Sequence, residues 1–229
     1  MKLYFMPGAC SLAPHIALRE AGLRFSLVEV DYRSKRTSDG RDFHEINPKG
    51  YVPALELNGG DLLTEVPVIL TYIDEISGQK ALLPRRGSDR LIALEWLNYI
   101  ATEIHKSFSP LFRPRTPTAF LAPGRAHLSR RLDFVERHLQ HREYLLGPGF
   151  SLPDIYLFTV FRWLDDQELS PTDWPALQRH SEAIAARQSV KDALEQESLA
   201  ANFAHRRRMD HPRRHVRRRH GRIRSPGPD

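Results

Sequence analysis

A small mixed sheet covered by helices, followed by an all-helical unit, is the architecture this sequence predicts. Short aromatic and aliphatic runs alternate with helical periodicity as far as Gly78. Beyond Gly78 only helical periodicity remains. The chain has 229 residues, 41% of them apolar, enough to build a substantial core. The order in the first part, strand, helix, strand, helix, hairpin, helix, implies an α/β layer arrangement.

Residues 2–6 read as a strand from their aromatic and aliphatic content. Ser11 to Gly22 reads as a helix, with apolar spacing at Leu12, Ile16 and Leu18. Phe25 to Val30 is strand-like again, and a basic stretch from Arg33 to Arg41, a short helical piece and the turn-rich NPKG follow it. Val52 to Leu57 and Leu62-Leu63 flank NGGD, a hairpin signal, and Glu65 to Ser77 is helical. The stretch GQKALLPRRGSD is a linker, so the divisions are 1–78, a linker at 79–88, a helical domain at 89–204 and a tail at 205–229. In the helical domain one long helix runs through RLIALEWLNYIATEIHKSFSPLF to the breaker RPRTPT, and a second spans about Thr118 to His141. A third opens at SLPD, where Ser151 and Asp154 have capping-box spacing, and further helices occupy Trp174 to Arg187 and Val190 to Glu197.

The net charge of +6 belongs to the end of the chain. From His205 to Asp229 there are 10 Arg against 2 Asp, a balance of +8, whereas residues 1–204 carry 24 basic and 26 acidic groups, a balance of −2. That basic segment has three aliphatic or thioether side chains, too few to offset its ordering entropy, so it is expected to be disordered. It also lacks aromatic residues for stacking on bases, which argues against specific nucleic-acid binding. No apolar run reaches the length of a membrane span, and the opening apolar run is too short for a signal-peptide core, so a cytoplasmic location is expected, with no membrane partner.

Cys10 is the only cysteine, which forbids a disulfide within the chain. A free cysteine commonly serves as a small buried hydrophobe. At a strand-to-helix turn, however, unpaired backbone N–H groups and the positive end of the helix dipole favour thiolate. Ser11 can add a hydroxyl donor or cap the helix. A redox pair of the C-x-x-C kind would need a cysteine where Ala13 stands, so any partner thiol must come from outside.

Four blocks in order, PGACSLAPHIALREAG, NPKGYVPAL, LLTEVPVI and EWLNYIATEIHKSFSPLF, resemble bacterial glutathione S-transferases of the beta class over about residues 1–200. The resemblance implies a thioredoxin-like N-terminal domain that binds glutathione and a helical domain that supplies the electrophile pocket and dimer contacts. It implies a dimeric cytosolic enzyme that uses glutathione as co-substrate and holds no metal. Cys10 would contact the glutathione sulfur or form a mixed disulfide with it. Val52 would pair its backbone with the ligand, Pro53 would be a cis-proline facing the thiol, and Glu65 would meet the ligand ammonium. Lys35 would reach the glutathione end of the site. Val66 stands where Ser or Gly is usual, and Tyr51 where Gln is common.

Glu65 at a helix start also suits the dipole without any ligand, and Lys35 between Arg33 and Arg36 suits a solvated loop. On the long helix Asn98, Thr102 and His105 are spaced i, i+4, i+7 and share one face, a polar stripe that faces water or lines a site. The resemblance chooses the site, with His105 at the sulfur and Asn98, Thr102, Glu103 and Ile104 near the ligand or the dimer partner. Conjugation of glutathione to small hydrophobic electrophiles, or glutathione-dependent disulfide reduction by a single thiol, is the expected activity. The alternative is a non-catalytic interaction module on the same fold.

Overall fold

The computed structural model describes residues 1–209, with backbone only for Asp166 and residues 200–209. Strand β1 (Lys2–Phe5) leads into helix α1 (Leu12–Glu20) and strand β2 (Ser26–Glu29), which pairs with β1 in parallel. After the short helix α2 (Phe43–Ile46), strand β3 (Ala54–Glu56) pairs antiparallel with β1, and β4 (Leu62–Thr64) closes the hairpin against β3. The sheet order is β2-β1-β3-β4, and α3 (Val66–Ile76) follows. Alternation along β1 divides the packing. Leu3 and Phe5 join the large core with α1 and α3, while Tyr4 packs on the opposite face with Val28, Val30 and Phe43.

The NPKG turn fixes the approach to β3. Gly50 sits at φ +69, and a Cβ there would meet the His44 ring at 2.4 Å, so glycine is required for conformation and space alike. The segment between the two halves is held by Asp74, 2% exposed, whose carboxylate accepts the N–H groups of Leu82 and Leu83 at 2.7 and 2.9 Å and pairs with Arg90 at 3.1 Å.

The second half is helical: α4 (Ser88–Tyr99), α5 (Lys106–Phe112), α6 (Leu121–Leu139), α7 (Leu152–Phe161), α8 (Pro175–Ala185) and α9 (Gln188–Met209). A π-helical stretch at Ile100–His105 interrupts the single long helix expected between α4 and α5. Short 3₁₀ turns lie at Thr118–Phe120, Arg162–Asp166 and Pro171–Asp173. One apolar core runs through both halves, joining Leu3, Ile16 and Ile69 to Leu97, Ile104, Leu157 and Val190. The capping box opens α7 as expected, with Asp154 Oδ2 accepting the Ser151 N–H at 2.8 Å. Helix α9 spans Gln188–Met209 and so takes in the first five residues of the tail expected from residue 205. The remainder of that tail lies outside the described residues.

Candidate active site

The turn between β1 and α1 presents the thiol. Cys10 is half-buried and its Sγ–H donates to the Val52 carbonyl at 3.4 Å. The Val52–Pro53 peptide is cis, and the hydrogen bond to Val52 sets the thiol against the segment that the resemblance implicates. The backbone N–H groups of Cys10 and Ser11 favour thiolate, as a helix start should, but burial dominates and pushes the thiol up to about 12, with Glu65 and Glu197 adding to the rise. The thiolate expected from the helix position is therefore corrected: at neutral pH the group is a protonated donor. Ser11 does not cap α1. Its fully buried hydroxyl accepts the Met6 N–H at 3.1 Å and donates to the Met6 carbonyl at 3.2 Å, closing the turn.

Glu65 precedes α3 with φ +69, a left-handed conformation sparsely used by residues with a side chain. Its carboxylate accepts from Lys49 Nζ at 2.7 Å and from the Tyr51 hydroxyl at 2.9 Å. Lys49 holds the carboxyl below its ordinary range, against the opposing effect of burial. Tyr51 in place of Gln therefore gives this carboxylate a donor. Val66 is 4% exposed and packs in the large core. Its β-branched side chain belongs to the packing, and only its backbone is left for a ligand.

From the helical half, His105 closes the π-helical stretch. Its Nδ1 lies 2.7 Å from the Tyr156 hydroxyl, and its ring meets Trp163 edge-on at 5.0 Å between centroids. Burial and then the neighbouring Lys106 lower its pKa to about 4, so the imidazole is neutral at pH 7. Tyr156 is held protonated by burial, reinforced by Cys10 and Glu65. Phe108 and Phe112 complete an aromatic group around Trp163, at 5.3 and 5.6 Å between ring centroids.

The remaining candidates divide. Asn98 and Thr102 are exposed, with the Thr102 hydroxyl donating to the Asn98 carbonyl at 3.0 Å. Glu103 pairs with Arg131 at 2.8 Å. Ile104 is fully buried in the core. Lys35 lies over the Tyr32 ring at 4.9 Å from its centroid. Tyr156, Trp163 and Lys49 are the neighbours that sequence reasoning missed; Lys49 stood in the quoted NPKG, but nothing local marked its partner. Among the described residues no group of three His, Cys, Asp or Glu is arranged to hold a metal, and no helix is long and apolar enough to cross a membrane.

Two family models match this chain: the glutathione S-transferase N-terminal domain over residues 8–76 and the C-terminal domain over residues 99–188. The glutathione S-transferase GstA of Escherichia coli O157:H7 is 44% identical over 200 residues, covering 87% of this chain and 100% of the relative. Among solved structures, a ternary complex of BphK, a bacterial enzyme of this kind, is 48% identical with a TM-score of 0.84 and covers 86% of this chain and 100% of its own. A sphingomonad glutathione S-transferase complexed with glutathione is 42% identical, also at 0.84, over 87% of this chain and 100% of that one.

Proposed function

Because the chain belongs to the glutathione S-transferase family, we propose that its transferase chemistry runs where the Cys10 turn meets the helical half, with Cys10 and His105 on the glutathione sulfur. Glutathione is the co-substrate, and its thiolate attacks a small hydrophobic electrophile. One observation carries the assignment of roles: Cys10 faces the Val52 carbonyl as a donor, and its pKa lies far above neutral. A protonated thiol, its one S–H turned from the Val52 carbonyl to the ligand, can hydrogen-bond the glutathione thiolate without competing with it as nucleophile. Tyr156, kept protonated, donates to His105 Nδ1 and leaves Nε2–H as a second donor to the same sulfur. The proton released by glutathione goes to solvent. These donors favour conjugation over disulfide reduction, since a mixed disulfide at Cys10 requires the thiolate that burial opposes.

Glutathione would lie along Val52, with the Glu65 carboxylate, already ordered by Lys49 and Tyr51, available to its ammonium. The aromatic group of Phe108, Phe112 and Trp163 offers apolar rings to the electrophile. The enzyme works as a cytoplasmic homodimer in this reading, in a detoxifying role, and the exposed Val68, Leu91, Ile92 and Phe134 of α3, α4 and α6 are candidates for the covered surface.

Substitution at Cys10 tests the roles. Cys10→Ala removes one hydrogen bond to a charged group and lowers kcat/KM for conjugation of 1-chloro-2,4-dinitrobenzene by roughly 10- to 100-fold. Cys10→Ser, which keeps a donor, stays within about fivefold of the native enzyme. Intact mass of the native protein after incubation with glutathione disulfide at neutral pH should show no adduct. Native kinetics in Cys10→Ala would remove the sulfur assignment.

A further inference from the structure

A buried carboxylate of the helical half holds the turn that carries the thiol. Glu197 lies on α9 and is 3% exposed. Its Oε2 accepts the backbone N–H of Gly8 at 3.0 Å, across 189 residues of sequence, and its Oε1 lies 3.1 Å from His15 Nδ1. His15 is fully buried on α1, and its Nε2 accepts from Arg19 Nε at 3.1 Å. With Nε2 engaged as an acceptor, the neutral ring carries its proton on Nδ1 and donates it to Glu197. Both oxygens of the buried carboxylate are thus answered, one by α1 and one by the turn.

The other side of Gly8 is held as well. Its carbonyl accepts from Trp163 Nε1 at 2.9 Å, and the same indole packs on His105. Gly8 has φ +74 and stands two residues before the thiol. The helical half therefore grips both peptide groups of one residue in the catalytic turn, through a carboxylate on α9 and an indole beside the imidazole. A buried carboxylate is costly without its donors, so the turn cannot drift without exposing that cost.

From this we infer that Glu197 is a positioning residue for the transferase reaction: by accepting the Gly8 N–H it fixes the Cys10 thiol relative to His105. The inference rests on the reading of Cys10 and His105 as the groups on the glutathione sulfur. It separates two jobs of one side chain, since the bond to His15 ties α9 to α1 and the bond to Gly8 places the turn.

The full-length chain carrying Glu197→Ala or Glu197→Gln tests this. Both lose the charged partner of His15, but the Gln carbonyl keeps the bond from Gly8 when the His15 proton moves to Nε2, releasing Arg19, and Nδ1 accepts from the Gln amide. Both variants should therefore melt below the native protein. At a temperature where circular dichroism shows each folded, Glu197→Ala should lower kcat for conjugation by about tenfold, with KM for glutathione within about threefold, and Glu197→Gln should keep kcat within about threefold. Amide exchange in a peptide covering residues 6–12 should accelerate about tenfold in Glu197→Ala and remain near native in Glu197→Gln. Equal kcat in the two variants, or native exchange in Glu197→Ala, would overturn the inference. If Glu197→Ala does not fold, Glu197→Asp keeps the charge while withdrawing it by one methylene, and the same two readouts decide. Exchange is measured without glutathione, so it judges the clamp even where unchanged conjugation in Cys10→Ala has removed the sulfur chemistry.

Discussion

Helix α7 and helices α1 and α3 begin in opposite ways. At the start of α7 the fully buried Asp154 accepts the N–H groups of Ser151 and Leu145, each at 2.8 Å, and faces His180 Nε2 at 2.9 Å. At the start of α1, Ser11 turns its hydroxyl back to Met6, and at the start of α3 no side chain caps the helix, with Glu65 reaching to Lys49 and Tyr51. A helix start that serves architecture has its donors answered by the protein. Neither of the two starts proposed for glutathione has a side-chain cap, and at α1 the Leu12 and Ala13 amides close onto the Ala9 and Cys10 carbonyls at 3.1 and 3.2 Å.

Removing the α7 cap should have the largest effect. Asp154→Ala leaves buried donors and His180 without their acceptor, and is expected to lower unfolding free energy by about 3–5 kcal/mol. Urea denaturation measures this, and kcat of the folded fraction should stay near native. A loss below about 1 kcal/mol would erase the distinction between structural and functional helix starts.

His105→Gln sharpens the comparison from the other side, with an expected fall in kcat/KM of roughly 10- to 100-fold and little change in stability at pH 7. Its signature is in the pH dependence. His105 is lowered to about 4 in the fold, while an unfolded histidine titrates near 6.5, so between those values the unfolded chain binds more protons. Native stability should fall as pH drops through that window, by up to ~1.4 kcal/mol per pH unit from this group, and His105→Gln should lack that part of the slope. Urea midpoints at pH 7, 5.5 and 4.5 check it.

The smallest effect is expected at the exposed pair. Lys49→Met removes a salt bridge whose side chains are 47% and 51% exposed, so stability should change by less than about 1 kcal/mol. Calorimetric titration of glutathione should show a dissociation constant within about fivefold of native. A larger loss would mean that Lys49 itself meets the ligand.

What the sequence disclosed about these regions follows the range of the interactions. The β1 strand, the NGGD hairpin and the Ser151–Asp154 box are set by neighbours in the chain, and each stands where its residues place it. Cys10, Val52, Glu65 and His105 stood out as candidates because four short blocks carried a family resemblance. The direction of the Cys10 shift was not, since the local dipole argument points one way and burial by distant segments points the other. Glu197, Trp163 and Tyr156 reach their partners across 189, 155 and 51 residues, beyond any spacing rule. Val66 shows the converse: noted as standing where Ser or Gly is usual, it is a core side chain, so a serine there would bury a polar group.

The π-helical stretch at Ile100–His105 has a consequence for how this protein tolerates change in length. Such a stretch is an α-helix accommodating one residue too many. Loss of a single residue there would restore regular winding while turning all that precedes it by about 100° against His105. The backbone would absorb that deletion easily, and the catalytic register would not. Residue counting across this segment is thus an unsafe guide when homologous helices are matched position by position, and the length of these six residues is as much a part of the site as their identity.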